Sequence, residues 1–112
     1  MSQLKDHIVD IELSTKDGMF KEQAAQIAPN SDKITVTVIY SDIDTDDVTA
    51  KLVQSVDSEN WQDVEDSEVT LDNTLASHTW NLAGYSPGLF ITISINKATS
   101  TTGTIDAIKY LV

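Results

Sequence analysis

The residues of this chain best suited to chemistry are carboxylates. In Ser41-Asp42-Ile43-Asp44-Thr45-Asp46-Asp47, the residues Asp42, Asp44 and Asp46 take the first, third and fifth positions of a calcium loop. Calcium needs several hard oxygens converging on one point. The match stops there, because the sixth position is Asp47 instead of glycine and the twelfth is Val53 instead of glutamate. In an extended strand, alternate aspartates line one face without converging. The favoured reading is a solvated hairpin tip whose like charges discourage edge pairing. Asp42, Asp44 and Asp46 are the metal candidates, and no metal or other cofactor is expected.

A second acidic group, Glu59, Asp63, Glu65, Asp66 and Glu68, surrounds a turn. A glycosidase pair would need a cleft to raise one carboxyl pKa, and a small sandwich offers little cleft. His7 and His78 are the only histidines, with no HxH or HExxH pattern around them, so a zinc site lacks its third ligand. His78 reads as a partly buried ring beside Trp80. There is no GxSxG elbow and no glycine-rich phosphate cradle. No catalytic residue is assigned and no enzyme is expected. Trp61, Tyr85 and Trp80 remain as a candidate aromatic platform for sugar. Trp80 alternates in phase with Leu82 and reads as core. Trp61 follows a turn and fits core or contact, while Tyr85 lies beside Ser86-Pro87-Gly88. Trp61 and Tyr85 are the contact candidates.

Period-2 alternation supplies the elements that would carry these residues. Strands are expected at His7–Leu13, Lys33–Tyr40, Val48–Val56, Glu68–Leu71, Ser77–Leu82, Leu89–Lys97 and Thr104–Val112. In the last, Ile105, Ala107, Lys109 and Leu111 oppose Asp106, Ile108, Tyr110 and Val112, and either set fits the inward face. Met19–Ala28 fits a short amphipathic helix or an irregular edge strand, and the β surroundings favour the strand. Turns fall at Asp17-Gly18, Pro29–Asp32, Asp57–Asn60, Asp72-Asn73, Ser86–Gly88 and Thr99–Gly103. The 13 threonines, with the Val and Ile of the strands, suit a pleated surface. Short strands spaced by turns indicate an all-β fold: a single antiparallel β-sandwich, jelly-roll-like, of about seven to eight strands. It forms one domain over 1–112, with 1–20 an extended arm or edge strand.

Eighteen acidic residues face seven lysines and no arginine, for a net charge of −11. Such a chain is repelled by DNA and by anionic membrane surfaces. Neither nucleic acid nor membrane is an expected partner. No apolar run is long enough to span a bilayer. The N-terminus MSQLKDHIVD has no basic region followed by an apolar stretch, so the product is expected to be used as translated. Without cysteine the fold must hold by packing or by assembly with neighbours.

Lys51–Val112 carries a recognisable series. Leu52-Val53-Gln54-Ser55 meets the turn Asp57-Ser58-Glu59-Asn60, and Trp61-Gln62-Asp63-Val64 follows. Val69-Thr70-Leu71, His78-Thr79-Trp80-Asn81-Leu82, Leu89-Phe90-Ile91-Thr92-Ile93 and Thr101-Thr102-Gly103-Thr104-Ile105 complete it. The series resembles small β-sandwich domains of tailed-bacteriophage virion proteins and, more distantly, discoidin-type binding modules. The resemblance implies that Trp61 and Trp80 pack, that Asp57 and Asn60 form a turn and that Gly103 closes a hairpin. One departure is the strand Leu89–Ile95, which lacks the arginine such domains often carry, and this argues against an anionic ligand. The resemblance implies a structural protein of the virion, made in the host cytoplasm and carried on the capsid's outer surface. It would be an auxiliary, decoration or fibre-base protein, or a small tail component. The expected partners are the major capsid protein or other virion proteins, and copies of itself, a trimer being favoured. Met1–Leu13 is the segment expected to reach a neighbour as an added strand. The alternative is a glycan- or cell-surface-binding module.

Overall fold

The computed structural model describes residues 4–14, 18–28, 33–45, 47–83, 89–98 and 101–112. Ten strands run in order: β1 (Leu4–Glu12), β2 (Gly18–Met19), β3 (Ala25–Gln26), β4 (Lys33–Ser41), β5 (Thr49–Ser55), β6 (Gln62–Asp63), β7 (Val69–Thr70), β8 (Ser77–Ala83), β9 (Phe90–Asn96) and β10 (Thr104–Leu111). One sheet has the order β1-β10-β4-β8. The other runs β2-β9-β5-β6, with β3 also on β9 and β7 also on β5. Its six strands therefore fill four positions, since β2 and β3 form one broken edge and β6 and β7 the other. Every pairing is antiparallel. Four positions facing four in this order make a jelly-roll sandwich. With each broken edge taken as one strand, the described chain changes sheet at every connection except β5–β6.

The alternation read from the sequence is what fills the space between the sheets. On β4 it buries Ile34, Val36, Val38 and Tyr40, and across from them lie Ala50, Leu52, Ile91, Ile93 and Ile95. Both sheets share this one buried cluster, which Leu13, Phe20 and Ile27 extend. Two bulges break the period. On β1 the register against β10 shifts between Ile8 and Ile11, where Asp10 takes φ 45°. On β10 it shifts against β4 between Ile105 and Ala107. An extra residue flips every side chain beyond it. Thus Ile105 is buried before Asp106, and Ile108, Tyr110 and Val112 are buried after it. Neither of the two faces read in Thr104–Val112 is inward along its whole length.

Met19–Ala28 holds parts of both readings. Gly18–Met19 and Ala25–Gln26 pair with β9, and a single 3-10 turn at Lys21–Gln23 interrupts them. Phe20 and Ile27 are buried from this irregular edge. Leu4–Glu12 is an edge strand within its own sandwich, paired along β10 from Leu4↔Leu111 to Glu12↔Thr104. Donating it to a neighbour would require exchange between copies. The acidic stretch Asp42–Asp47 is not a hairpin tip, because β4 and β5 lie in different sheets and it crosses between them. Gly103 does not close a hairpin either, since it precedes β10 on the crossing from β9.

Candidate functional site

The β5–β6 hairpin concentrates the polar side chains that could meet a ligand. Its turn is built on one carboxylate. Asp57 Oδ1 accepts from the backbone N–H groups of Asn60 (2.8 Å) and Glu59 (2.9 Å) and from Ser55 Oγ (2.9 Å). Asp57 Oδ2 accepts from Asn60 Nδ2 at 2.8 Å. The Asn60 and Glu59 backbone donors, then the Asn60 and Ser55 side chains, hold the Asp57 carboxyl well below its ordinary range. Ser58 completes the turn at φ 60°.

Trp61 leaves this turn half-buried, which places it between the core and contact readings. Its indole Nε1 is shielded from solvent and has no hydrogen-bond partner among the described residues, and Gln54 Oε1 is in the same state. A shielded, unpaired polar group costs about 1–3 kcal/mol. Both residues line a hollow of about 370 Å³ with Val56, Asn60, Gln62 and Leu89. Val56 is 79% exposed at its rim. On the other side of Trp61 a hollow of about 420 Å³ is lined by Met19, Lys51, Val53 and Asp63, among others. Tyr85, the second contact candidate, lies outside the described residues, so the structure does not join it to Trp61. Gln54 had a faint signal in the sequence, as the polar member of the alternating set Ala50, Leu52, Gln54.

Trp80 is core. Its Nε1 donates to Ser67 O at 2.8 Å, and His78 meets it edge-on with centroids 4.7 Å apart. Burial lowers the His78 pKa. His7 packs edge-on against Tyr110, so the two histidines serve separate aromatic contacts. Ser67 gave no sequence signal, yet it is a joint between sheets. Its Oγ accepts from Leu52 N–H (3.0 Å) and donates to Val64 O (2.6 Å), while its carbonyl holds Trp80. Deeper in, Tyr110 Oη donates to Gln23 O (2.7 Å) and lies 3.3 Å from Thr92 Oγ1, whose hydroxyl donates to Phe20 O. Burial pushes the Tyr110 pKa well up, and burial together with the nearby Asp72 charge raises that of Tyr40.

The described acidic residues do not converge. Asp42 is exposed at φ 57°, and Asp44 Oδ1 accepts from Thr102 N–H at 3.1 Å. Asp46 lies outside the described residues. Among the described residues no three Asp, Glu or His side chains are grouped to hold a metal. Of the carboxylates near the hairpin, Asp63 pairs with Lys51 at 2.9 Å, and Glu59, Glu65, Asp66 and Glu68 are exposed.

A second surface is lined mainly by uncharged polar side chains, with the exposed Lys109 beside Thr37. On the outward face of the first sheet, Thr35, Thr37 and Ile39 register against Asn81, Thr79 and Ser77. Thr37 and Thr79 share a 2.8 Å hydroxyl bond, and Thr35 Oγ1 donates to Asn81 Oδ1 at 3.1 Å. The strand β8 forms this edge without a bulge from Lys33↔Ala83 to Ile39↔Ser77. Among the described residues its backbone pairs with β4 alone. The opposite edge, β1, is interrupted by its bulge and carries Lys5, Asp6 and Asp10.

No family model matches the chain, and no curated protein does. Among solved structures it is similar to the structure of Eiger TNF from S. frugiperda, at 10% identity with a TM-score of 0.46. The match covers 79% of this chain and 62% of that one. The chain thus spans less than two thirds of the structure it matches.

Proposed function

We propose that this chain is a non-enzymatic structural protein of a tailed-bacteriophage virion, docked on the outer surface of the capsid as an auxiliary, decoration or fibre-base protein. The reading starts from the resemblance carried by Lys51–Val112. The observation that carries it furthest is the uncharged β8 edge with its threonine-lined face, on a chain of net charge −11. Natural sheets guard their edges with charge, proline or bulges. An edge without these devices is suited to pairing, and depletion of charge is a mark of interface cores. Here the major capsid protein, or another copy of this chain, can pair along a strand that carries no Asp, Glu or Lys of its own. On a symmetric lattice many modest contacts of this kind add through avidity.

Mass spectrometry of purified particles from the host carrying this gene tests the reading. The chain is expected at a stoichiometric copy number, and Thr79→Lys with Asn81→Lys is expected to lower that number while the protein still folds. Absence from particles that are otherwise complete would reject the virion assignment. A glycan-binding module is the second reading, and the hollow beside Trp61 is the observation that favours it.

A further inference from the structure

We propose that β8 pairs with β8 of a second copy, antiparallel and about a two-fold axis through Trp80, so that the two four-stranded sheets join edge to edge. This narrows the docking edge of the reading above to one occupant, and it stands whether or not the chain belongs to a virion. The ladder between β4 and β8 shows which backbone groups are left for a partner. Ala76 O accepts from Tyr40 N–H at 2.9 Å. The register continues from that pair through Val38↔His78, Val36↔Trp80 and Ile34↔Leu82. Hydrogen-bonded and open pairs alternate along an antiparallel ladder. His78, Trp80 and Leu82 therefore direct their N–H and C=O groups at β4, and Ser77, Thr79, Asn81 and Ala83 direct theirs away from it. The 2.8 Å contact between Thr37 Oγ1 and Thr79 Oγ1 agrees, because side chains come closer across the open pairs. Among the described residues no backbone group pairs with this outward row.

The outward row is complementary to itself. Its members are spaced evenly about Trp80. An antiparallel copy therefore sets Thr79 opposite the partner's Asn81 and Ser77 opposite the partner's Ala83, each pair exchanging both bonds. Thr35 Oγ1 occupies Asn81 Oδ1 at 3.1 Å, which leaves the Asn81 amide N–H groups for the partner's Thr79 hydroxyl. Charge selects the occupant. Two chains of net −11 repel wherever their acidic surfaces meet, and a strand without Asp, Glu, Lys or Arg lets a like-charged copy close in. A basic partner would gain more from the acidic loops than from this edge. The other described edges are less suited. β1 is bulged at Asp10 and carries Asp6, and the second sheet ends in the short pieces β2, β3, β6 and β7. A strand paired with itself is an isologous contact that closes at two, so it gives a dimer in place of the trimer that the resemblance implies. One strand covers less than the roughly 1,600 Å² of a standard interface. The dimer is therefore weak, with Kd of about 10–100 µM.

Sedimentation equilibrium of the full chain, from about 1 µM to about 1 mM, tests the pairing. A monomer–dimer equilibrium is expected. It should tighten as NaCl rises from about 0.01 M to about 0.1 M, because screening relieves the repulsion between two acidic bodies. In residue-resolved hydrogen exchange, the Ser77, Thr79 and Asn81 amides should gain protection with concentration, while His78, Trp80 and Leu82 stay protected throughout. Two double variants separate pairing from misfolding. Thr79→Lys with Asn81→Lys, and Thr79→Glu with Asn81→Glu, should each keep the parent's circular dichroism and raise Kd beyond about 1 mM, since like charges then face each other. Mixed in equal amounts they should dimerise, which misfolded chains would not do. Leu4→Lys, at an exposed residue of the opposite edge, should leave the dimer intact. A parent that stays monomeric at about 1 mM, forms a trimer or associates more tightly at low salt would overturn the proposal. So would a double variant that dimerises alone, a folded mixture that stays monomeric, or a dimer lost in Leu4→Lys. Particle composition measures the virion assignment separately. A monomer found in particles would end this inference alone, and a dimer absent from them would end that assignment alone.

Discussion

Asp57 shows how one side chain can set a local structure. Four donors converge on its carboxylate, so the turn it organises is sensitive to its protonation. Its folded-state pKa lies below the ordinary 3.8. The stability it contributes is thus present above about pH 4 and is lost as pH falls through the folded value. Asp57→Ala should lower the melting temperature at pH 7, and the gap between variant and parent should narrow in melts below pH 4. Tyr110 gives the opposite sign, since burial raises its pKa above the ordinary 10.0. Its contribution is complete below pH 10 and lost as pH rises beyond. Tyr110→Phe should cost about 1 kcal/mol at pH 7 through the lost bond to Gln23 O, yet fall less steeply in melts above pH 10. At Gly103, φ is +131°, and an added Cβ would lie 2.8 Å from Ile43 Cγ1 and 2.9 Å from Ile43 Cα. Backbone strain and a clash with main chain act together there. Gly103→Ala should destabilise by about 2–4 kcal/mol in urea unfolding, and a loss under about 0.5 kcal/mol would contradict this account.

The elements differ in how far local sequence determines them. The β5–β6 hairpin was legible because its strand, turn and returning strand are adjacent, and Asp57 and Asn60 are turn-forming residues. The alternation on β4, β8 and β9 was legible for the same kind of reason. The bulges at Asp10 and Asp106 were not, because each exists only relative to a partner strand distant in sequence. The edge role of β1 was also decided by its partner. Removing residues 1–12 should expose the flank of β10 and withdraw Val9 and Ile11 from the core they pack against. Circular dichroism and thermal melting are expected to show loss of the cooperative transition. A truncated chain that melts like the parent would mean that β1 is an accessory arm, free to pair with a neighbour.

At the scale of the whole molecule, charge is the dominant feature. Net −11 implies self-repulsion in the compact state. Raising NaCl from about 0.01 M to about 0.1 M shortens the screening length from about 30 Å to about 10 Å. The melting temperature should rise over that range. Calcium chloride at equal ionic strength should add nothing further. A calcium-specific rise reversed by chelator would instead revive a site at Asp42, Asp44 and Asp46.

The sequence by itself determined the fold class, the buried face of most strands and the β5–β6 turn. Each depends on side-chain periodicity or on contacts a few residues apart. The same residues were silent on which strands would be neighbours, because six of the seven connections between strand positions cross from one sheet to the other. Only the tertiary structure decided that Asp44 meets Thr102, that Ser67 joins the two sheets through Trp80, and that β8 is left as an uncharged edge. It also set the unpaired Trp61 and Gln54 beside one hollow. These features depend on which distant segments the burial of apolar surface brings together, and that is a property of the closed sandwich as a whole.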